Sequence, residues 1–491
     1  MLAQPLLDIA EELRKIDQEM AHEANKLEWM LEDLPESNKL SAKNFLHYLV
    51  LRKTPIQNLQ YRLHEYGLSS LASCESHTRR QIQVTLERLG DPISDPCSCT
   101  AELGSRLIQE SQEQLFGPVP EGWPTSVMVT FDRSFLDQPQ LIASLLRHGM
   151  SVARINCAHD DEKIWEKMIQ AIRSASEATG VNCKIHLDLA GPKLRTKLLK
   201  KGKSQGKVEV QVNGSVWLSE SGKGFAEKDI VISPQESGVI SSLKIGERVY
   251  FDDGLILGRV EKITKRGAKV KLERVSTKRQ QLKNEKGINF PDSHLQISSV
   301  TEFDSSCLPF VARYADTLGF SFVRKPSDIV ELRGKLARLA DREVPLILKI
   351  ETLEAVENLP DLLLEGLKAE GVGVMIARGD LAVEIGFERL VEIQEEISWL
   401  CEAAHVPVIW ATQVLENLHK SGVASRAEIT DAGRAALAEC IMINKGDHTL
   451  EVLRSLKEIT QKSRALKVKN HLIFRPLKIA EDFLTKNQSM A

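Results

Sequence analysis

Several apolar, strand-like runs of the sequence end in polar side chains that could do chemistry. These run-end residues are Arg154 and Asn156, Asp188, Lys349 and Glu351, Arg378, Gly379 and Asp380, and Thr412. If the runs are parallel strands, their carboxyl ends meet at one face of a sheet, where barrel enzymes hold their active sites. Glu351 and Asp380 are two hard oxygen ligands, suited to one Mg²⁺ ion together with substrate oxygens. The cations around them suit an anionic substrate, most simply a phosphorylated one.

A competing interpretation is that charged residues collect at strand ends because those ends are solvated. For any single residue taken alone, this interpretation is as good as the functional one. It is weaker for Lys349, which follows five apolar residues, and for Arg-Gly-Asp at 378–380, because a buried charge needs a partner. The sequence holds no G-x-x-x-x-G-K-[ST] segment, so a bound nucleotide would not be held by a P-loop.

The elements that must position these residues begin at residue 125, where short β-branched runs alternate with amphipathic segments of helical length. Candidate strands lie at 126–131, 151–157, 183–189, 318–323, 344–350, 372–377, 406–411 and 439–443. This number of strands, with helices between them, favours a closed (β/α)8 TIM barrel. An open doubly wound sheet would instead require G-x-G-x-x-G after its first strand, and none follows 126–131.

Other segments precede or interrupt the predicted barrel. Residues 1–124 carry apolar residues at helical spacing and are predicted to form about five helices. Residues 197–285 alternate apolar and polar positions between turn residues, which predicts an inserted small β-barrel domain placed to act as a lid. The predicted domains are therefore 1–124 (helical), 125–196 with 286–470 (barrel) and 197–285 (lid), followed by a tail at 471–491. The fold class is α/β: a TIM barrel with an inserted β lid and an N-terminal all-α extension.

Composition argues against several classes of protein. The chain has 491 residues with 65 Lys+Arg against 68 Asp+Glu, a formal net charge of −3, which is not typical of a nucleic-acid-binding protein. No apolar run approaches the ~18 residues of a membrane span, and no basic segment precedes an apolar core at the N-terminus. A cytoplasmic location is expected. The close pair Cys97 and Cys99 lacks the second half of a zinc site and is interpreted as part of a surface loop.

The chain resembles the pyruvate kinase family. The segments that carry the likeness, in chain order, are VARINCAH, LDLAGPKLRT, FDDGLI, EKGINFP, FVRKPSDI, LILKIETLEAV, VMIARGDLAVEI, VIWATQVLENL and SRAEITDA. They span about residues 126–465, and LKIE, ARGDL and ATQ are the most specific. The resemblance implies a glycolytic enzyme that transfers phosphoryl from phosphoenolpyruvate to ADP, giving pyruvate and ATP, with Mg²⁺ or Mn²⁺. It implies no nucleic-acid or membrane partner.

The resemblance also implies roles for individual residues on the substrate side. Lys349 would neutralise charge on the transferring phosphoryl group, and Arg154 would hold the phosphate. The backbone of Gly379 and the hydroxyl of Thr412 would meet the carboxylate and enolate of the substrate, with Thr412 near the proton that converts enolpyruvate to pyruvate. The implied metal ligands are Glu351 and Asp380, of which Asp380 also borders the substrate.

Further roles follow for the nucleotide side and the lid. The residues that would face the nucleotide phosphates, or the ion near them, are Asn156, His159, Arg195 and Lys286. Asp253 in FDDGLI would belong to the closing lid. The implied monovalent-cation site, or its internal substitute, comprises Asn156, Asp188, Leu189 and Lys193.

One substitution predicts how that cation site works. Most family members have Glu where this chain has Lys193, and Thr where it has Leu189, and they need K⁺. Members with Lys and Leu generally do without K⁺, because an ammonium group can supply the missing positive charge. Ala158 replaces the family's Ser, a further K⁺ ligand. We therefore expect that K⁺ is not required.

Two loops depart from the family and leave alternatives open. The first strand runs into TFDRSF (130–135) where the family has T-I-G-P-A-S, and the eighth runs into INKG where the family has L-S-G-E-T-A-K-G. The family's C-terminal allosteric domain has no counterpart, so phosphosugar regulation is not expected. The leading hypothesis is a divergent pyruvate kinase. The alternatives are a Mg²⁺-dependent lyase or decarboxylase acting through a 2-oxo acid enolate, and a non-catalytic relative in which the barrel binds a metabolite and the helical block binds a partner. A homo-oligomer is also left open.

Overall fold

A computed structural model describes residues 3–277, 280–295, 297–339, 342–469 and 471–472. Its N-terminal helices are α1 (Gln4–Lys26), α2 (Glu36–Lys53), α3 (Gln57–Glu65), α4 (Thr78–Arg88) and α5 (Ala101–Phe116), with 3-10 turns at Glu28–Leu31 and Glu75–His77. In α1 the buried side chains of Ile9, Leu13, Ile16 and Met20 recur at helical spacing. The number of helices agrees with the prediction, and nearly all of the predicted tail lies outside the described residues.

The first barrel units follow directly. They are β1 (Ser126–Phe131), α6 (Pro139–Arg147), β2 (Val152–Asn156), α7 (Glu162–Thr179) and β3 (Lys184–Asp188), with a 3-10 turn at Arg133–Asp137. Helix α7 begins where the Asp161 side chain accepts a hydrogen bond from the Ile164 amide, and it ends at Gly180, which has a φ of 70°. Asp161 therefore caps a helix.

The long insertion between β3 and the next barrel strand forms sheets of its own. Its elements are β4 (Lys197–Leu198), β5 (Lys207–Glu209), β6 (Ser215–Leu218), β7 (Val231–Ser233), α8 (Val239–Ser242), β8 (Arg248–Phe251), β9 (Ile256–Thr264), β10 (Gly267–Val275), β11 (Gln281–Lys283) and β12 (Ile288–Asn289). Seven strands form one sheet in the order β12-β8-β9-β10-β6-β7-β4, and β11 pairs with β5. A separate apolar core, which includes Val216, Phe251 and Val270, lies within this unit.

Two details of the insertion differ from the prediction. Over the described residues its main sheet is open, with the two-residue strands β4 and β12 at its edges, rather than a small closed barrel. Such short edges offer too few backbone groups for a ladder that closes the sheet. In addition, β6 and β7 pair in parallel within an otherwise antiparallel sheet. The connection at 219–230 is long enough to return the chain to the same end of the sheet.

The remaining units complete the barrel. They are α9 (Glu302–Tyr314), β13 (Thr317–Phe320), α10 (Pro326–Leu336), β14 (Leu346–Ile350), α11 (Leu353–Glu357), α12 (Leu359–Gly366), β15 (Val372–Ala377), α13 (Arg378–Ile385), α14 (Leu390–Ala403), β16 (Val408–Ala411), α15 (Glu416–Ser421), α16 (Arg426–Ala435), β17 (Cys440–Ile443) and α17 (Thr449–Arg464), with a 3-10 turn at Phe387–Arg389. Two short strands, β18 (Lys467–Val468) and β19 (His471–Leu472), follow. The closed parallel barrel has the order β1-β17-β16-β15-β14-β13-β3-β2. The predicted TIM barrel is confirmed, and its strand bounds differ from the predicted ones by at most three residues.

The N-terminal helices pack against the amino end of the barrel, opposite the predicted site. Leu115 and Phe116 at the end of α5 are fully buried and cluster with Met128, Val152 and Ile347 inside the barrel. Helix α2 contacts α14 on the outer ring. Residues that form the site and residues that close the barrel floor thus lie at opposite ends of the same strands. No helix among the described residues has the length and apolarity needed to cross a membrane.

Candidate active site

A cavity of about 250 Å³ opens at the carboxyl ends of the barrel strands. The sequence-predicted residues that line it are Arg154, Asn156, His159, Leu189, Lys193, Arg195, Lys349, Glu351, Asp380 and Thr412. They come from separate strands and from the segment that leads into the insertion, so only closure of the barrel brings them together. Ala158, the residue that replaces a family serine, lies on the same wall.

Asp188 lies beneath the cavity and joins two of its cations. Its Oδ2 accepts hydrogen bonds from Arg154 Nε at 2.6 Å and lies 2.5 Å from Arg154 Nη2. Lys349 Nζ is 3.5 Å from the same oxygen and 2.7 Å from the hydroxyl of Ser321. Arg154 also donates to Thr130 Oγ1 at 3.0 Å. Asp188 thereby anchors the two cations that the resemblance assigns to the phosphoryl group.

The charge states of this group follow from its burial. Burial alone would favour the protonated acid, but Arg154 and Lys349 outweigh it and hold the pKa of Asp188 well below its usual range. Burial likewise opposes the charge of Lys349, yet the carboxylates of Asp188 and Glu351 raise the pKa of its ammonium. Both residues are therefore charged near neutral pH. Arg154 and Lys349 also line the cavity, where they could contact an anion.

The two expected metal ligands border the same cavity and differ in their partners. Glu351 Oε1 lies 3.4 Å from Lys349 Nζ, while Oε2 accepts the backbone N–H of Phe322 at 2.7 Å. Burial raises the pKa of Glu351, although Lys349 acts against the rise. Asp380 Oδ1 lies 2.7 Å from Lys193 Nζ. The ammonium that the resemblance assigns to the monovalent-cation site thus contacts an expected metal ligand directly.

Thr412 and Gly379 meet between β15 and β16. The Gly379 amide donates to Thr412 Oγ1 at 3.1 Å. Thr412 has a φ of 67°, a left-handed conformation that a β-branched residue adopts only where the surrounding structure holds it. Arg378 points elsewhere: it donates to the Ala411 carbonyl at 2.9 Å and pairs with Asp431. Arg378 therefore braces the loop that presents Thr412.

The residues expected on the nucleotide side fall into two groups. Asn156, His159 and Arg195 line the cavity. Lys286 and Asp253 do not border it, since Lys286 Nζ lies 3.2 Å from Asp252 Oδ1 within the insertion. A Cβ on Gly287 would lie 3.2 Å from Asp253 Oδ1, so Asp253 packs against the chain where it returns to the barrel.

A second cavity of about 350 Å³ shares Arg154, Asn156 and His159 with the first. Ion pairs tie together the loops around it, which are the two that depart from the family. Lys445 Nζ, after β17, lies 2.9 Å from Asp132 Oδ2, after β1. Arg133 Nε donates to Asp160 Oδ1 at 2.7 Å. Lys445 and Asp132 therefore engage each other across the two divergent loops, and Arg133 is engaged by Asp160 in the loop after β2.

Several residues that shape the site are absent from the sequence-based prediction. They are Thr130, His186, Ser321 and Asp431, which bind Arg154, Asp188, Lys349 and Arg378 respectively. For His186 a signal existed, because residues two apart on a strand face the same side and Asp188 was already a candidate. Thr130, Ser321 and Asp431 carry no such signal, since their partners come from other elements.

Comparisons with known proteins match the barrel region of the chain to one family. The family model described as pyruvate kinase, barrel domain, matches residues 124–451. The pyruvate kinase of Staphylococcus saprophyticus is 29% identical over 356 residues, covering 71% of this chain and 58% of that protein. The pyruvate kinase of Bacillus licheniformis is 31% identical over 335 residues, covering 66% and 54%.

A third relative is matched over more of its length. The pyruvate kinase of Clostridium perfringens is 30% identical over 346 residues, covering 69% of this chain and 70% of that protein. The chain spans about half the length of the first two relatives. The N-terminal helices precede the region that the family model matches.

Proposed function

Since the chain belongs to the pyruvate kinase family, we propose that it catalyses Mg²⁺-dependent phosphoryl transfer from phosphoenolpyruvate to ADP. The observation that carries this proposal is the joint placement of Arg154 and Lys349 on the buried carboxylate of Asp188, at the mouth of the barrel. Phosphoryl transfer asks mainly for positioned charge and little covalent chemistry from the protein. Two cations that share one anchor supply that charge at a fixed spacing.

The remaining donor-side groups fit the same reaction. Thr412 and the Gly379 amide form a hydrogen-bonding edge that a substrate carboxylate can enter by displacing their mutual contact. In the proposed reaction Thr412 lies near the proton that converts enolpyruvate to pyruvate. Lys349 stabilises negative charge as the phosphoryl group moves, and Arg154 holds its oxygens.

The cavity carboxylates fit a Mg²⁺ ion. Mg²⁺ is commonly held by one or two carboxylates together with substrate oxygens and water, and Glu351 and Asp380 are the carboxylates that line this cavity. Glu351 is 3% exposed and its pKa is raised by burial, so a nearby cation would stabilise its charged form. When bound, the ion would neutralise charge on the phosphate and enolate oxygens. Mn²⁺ has the same ligand preference and is proposed as a substitute.

We further propose that the reaction does not require K⁺. Lys193 extends its ammonium into the cavity that Ala158 and Leu189 also line, which supports an internal positive charge at this wall.

The insertion is proposed to act as a lid. Its closure would carry Asp253 towards bound substrate. A cytoplasmic location and an oligomeric assembly stay predictions.

The direct test is pyruvate formation from phosphoenolpyruvate and ADP with Mg²⁺, in the presence and absence of K⁺. Lys349→Met should abolish turnover, because it removes the charge at the transferring group. Lys469→Met is the matched control, since Lys469 is also a buried ammonium paired with a carboxylate, Glu439, but lies beyond α17. Turnover that survives in Lys349→Met would contradict the proposal.

A second candidate function is favoured by the ion pairs on the acceptor side. The ion pairs Asp132–Lys445 and Arg133–Asp160 engage the charged side chains of the two divergent loops. The residues expected to bind phosphoenolpyruvate, such as Arg154, Lys349 and Thr412, are all present. This pattern fits a Mg²⁺-dependent lyase or decarboxylase that acts through a 2-oxo acid enolate and uses no ADP. Thermal shifts separate the two: oxalate with Mg²⁺ should raise the melting temperature in both cases, whereas ADP with Mg²⁺ should raise it only for the kinase.

A further inference from the structure

One buried histidine of the barrel has no part in the roles assigned above. His186 lies on β3, two residues before Asp188, and both are fully buried. Nε2 of His186 is 2.9 Å from Oδ1 of Asp188, and Nδ1 is 2.9 Å from Oγ1 of Thr317 on β13. The ring is therefore held at both nitrogens, between a site carboxylate and a neighbouring strand.

The two oxygens of Asp188 have separate partners. Oδ1 meets His186, whereas Oδ2 meets Arg154 and Lys349. A carboxylate can only accept hydrogen bonds, so the proton must lie on Nε2 of His186. Nδ1 is then free to accept the Thr317 hydroxyl proton. His186 thus donates a hydrogen bond to Oδ1, the oxygen of Asp188 that Arg154 and Lys349 do not contact.

The space around this pair leaves no room for another arrangement. A Cβ on Gly319, in β13, would lie 1.8 Å from Asp188 Oδ1 and 2.9 Å from His186 Nε2. Only glycine fits at that position. The adjacent strand therefore packs directly on the hydrogen bond that joins His186 to Asp188.

We propose that His186 is a positioning residue that keeps Oδ2 of Asp188 turned towards Arg154 and Lys349, and so sets the affinity of the site for a phosphate-bearing anion. This inference rests on the proposed function only in taking that anion to be phosphoenolpyruvate. Without His186 the carboxyl group could rotate, and the two cations would lose their fixed spacing. Supporting hydrogen bonds of this kind typically contribute about 10- to 100-fold in affinity or activity at metal sites, and we expect a similar loss here.

Another buried histidine supplies the matched control. His405 is held by Ser41 Oγ at 2.9 Å and by the Ser76 carbonyl at 2.9 Å. Both partners are uncharged, and His405 precedes β16 at the amino end of the barrel, away from the site. Its role is to join the N-terminal helices to the barrel. His405→Leu should therefore lower the melting temperature and leave anion binding unchanged.

The experiment measures phosphoenolpyruvate binding by calorimetry with Mg²⁺ and without ADP. His186→Leu should raise the Kd at least about tenfold, with KM following the Kd more closely than kcat does. His186→Gln should restore most of the affinity, because its amide can donate to the same Asp188 oxygen. A folded His186→Leu that binds like the wild type would overturn the inference, as would equal losses in the Leu and Gln variants.

Two measurements keep the test decisive if His186→Leu does not fold. Nitrogen-15 NMR of histidine-labelled wild type should show a protonated Nε2 on His186, and an unprotonated Nε2 would overturn the inference. Gly319→Ala should weaken anion binding by pressing on the same hydrogen bond, and unchanged binding in that variant would also count against it. If the wild type binds inorganic phosphate but not phosphoenolpyruvate, the proposed function fails while the phosphate titration still tests His186.

Discussion

Lys193 shows how one side chain can link two ion sites. Its ammonium lies 2.7 Å from Asp380 Oδ1, an expected Mg²⁺ ligand, on the wall that Leu189 and Ala158 share. A lysine at this position can serve both as a fixed monovalent charge and as a counterion to Asp380. If free K⁺ can replace the Lys193 ammonium, the role as a fixed monovalent charge dominates.

Reversing this charge should make the activity respond to K⁺. In Lys193→Glu the cavity loses its internal cation, so kcat should fall without K⁺ and recover in part with KCl. Tetramethylammonium chloride at equal concentration should not restore it, because that ion is too large for the site. Lys201→Glu, in an exposed part of the insertion, is the control and should behave as wild type. Stimulation of the wild type by K⁺ would contradict the prediction.

The contribution of Glu384 to the free energy of unfolding depends on pH, because its carboxyl group is buried. It accepts a hydrogen bond from Asn289 at 2.8 Å, and burial raises its pKa to about 7. Because the folded pKa exceeds the unfolded one, the folded state binds the proton more tightly. Glu384 therefore favours folding fully at low pH and loses this contribution as the pH rises towards 7 and above.

Replacing this carboxyl with a neutral amide should remove the pH dependence. Glu384→Gln should gain about 2 kcal/mol in unfolding free energy relative to wild type between pH 5 and pH 8, after allowance for the partial exposure of the side chain. Urea unfolding at the two pH values measures the difference. Glu388→Gln, at an exposed position four residues on, should keep the pH dependence of the wild type. A Glu384→Gln variant that also keeps it would refute the account.

At the scale of elements, the loops after β1 and β17 are joined by an ion pair beside the second cavity. The Lys445 ammonium lies 2.9 Å from Asp132, which also accepts from the Ser134 amide at 2.9 Å and so begins the 3-10 turn at Arg133–Asp137. Asp132 is therefore held in place by its own loop. An anionic acceptor that approaches Lys445 must compete with a preorganised carboxylate.

Neutralising this carboxylate should strengthen binding of an anionic acceptor. In Asp132→Asn we expect KM for ADP to fall several-fold, because Lys445 becomes available, while KM for phosphoenolpyruvate stays the same. Steady-state kinetics with each substrate varied measures both values. Asp137→Asn, at an exposed position in the same turn, is the control. If KM for ADP rises instead, the Asp132–Lys445 pair organises the acceptor site rather than blocking it.

At the scale of the whole molecule, the N-terminal helices and the barrel share one core. Phe45 and Tyr48 of α2 belong to the same apolar cluster as the barrel helices. Asn44 joins the parts by hydrogen bonds: its Nδ2 donates to the Glu75 carbonyl at 2.7 Å and to the Ala403 carbonyl of α14 at 2.8 Å. The helical block is thus packed on the barrel, and recruitment of a partner by its outer face stays a prediction.

Loss of this junction should destabilise both parts together. Asn44 is 1% exposed and its Oδ1 accepts the Thr78 amide at 2.9 Å, so Asn44→Ala removes three hydrogen bonds to buried backbone groups. We expect a loss of about 2–4 kcal/mol in unfolding free energy. Differential scanning calorimetry should show one transition at a lower temperature. Asn25→Ala, exposed near the end of α1, is the control, and a separate early transition would mean that the helices unfold on their own.

Much of the fold could be predicted from local pattern alone. Apolar runs such as 372–377 are buried on both sides, and their length and spacing already indicate barrel strands with helices between them. Lys349 and Glu351 could be placed at a strand end for the same reason. Residue type then limits the chemistry, since hard carboxylates and cations suit metal and phosphate whatever their final partners are.

Partners across the barrel could not be predicted in this way. The contacts of Lys193 with Asp380, of His186 with Thr317 and of Lys445 with Asp132 join elements whose spacing depends on how the barrel closes. The open edge of the inserted sheet likewise depends on two-residue strands that have no local signature. Periodicity encodes which face of an element is buried, but side-chain pairing depends on distances of a few ångströms between distant parts of the chain, and those exist only in the folded molecule.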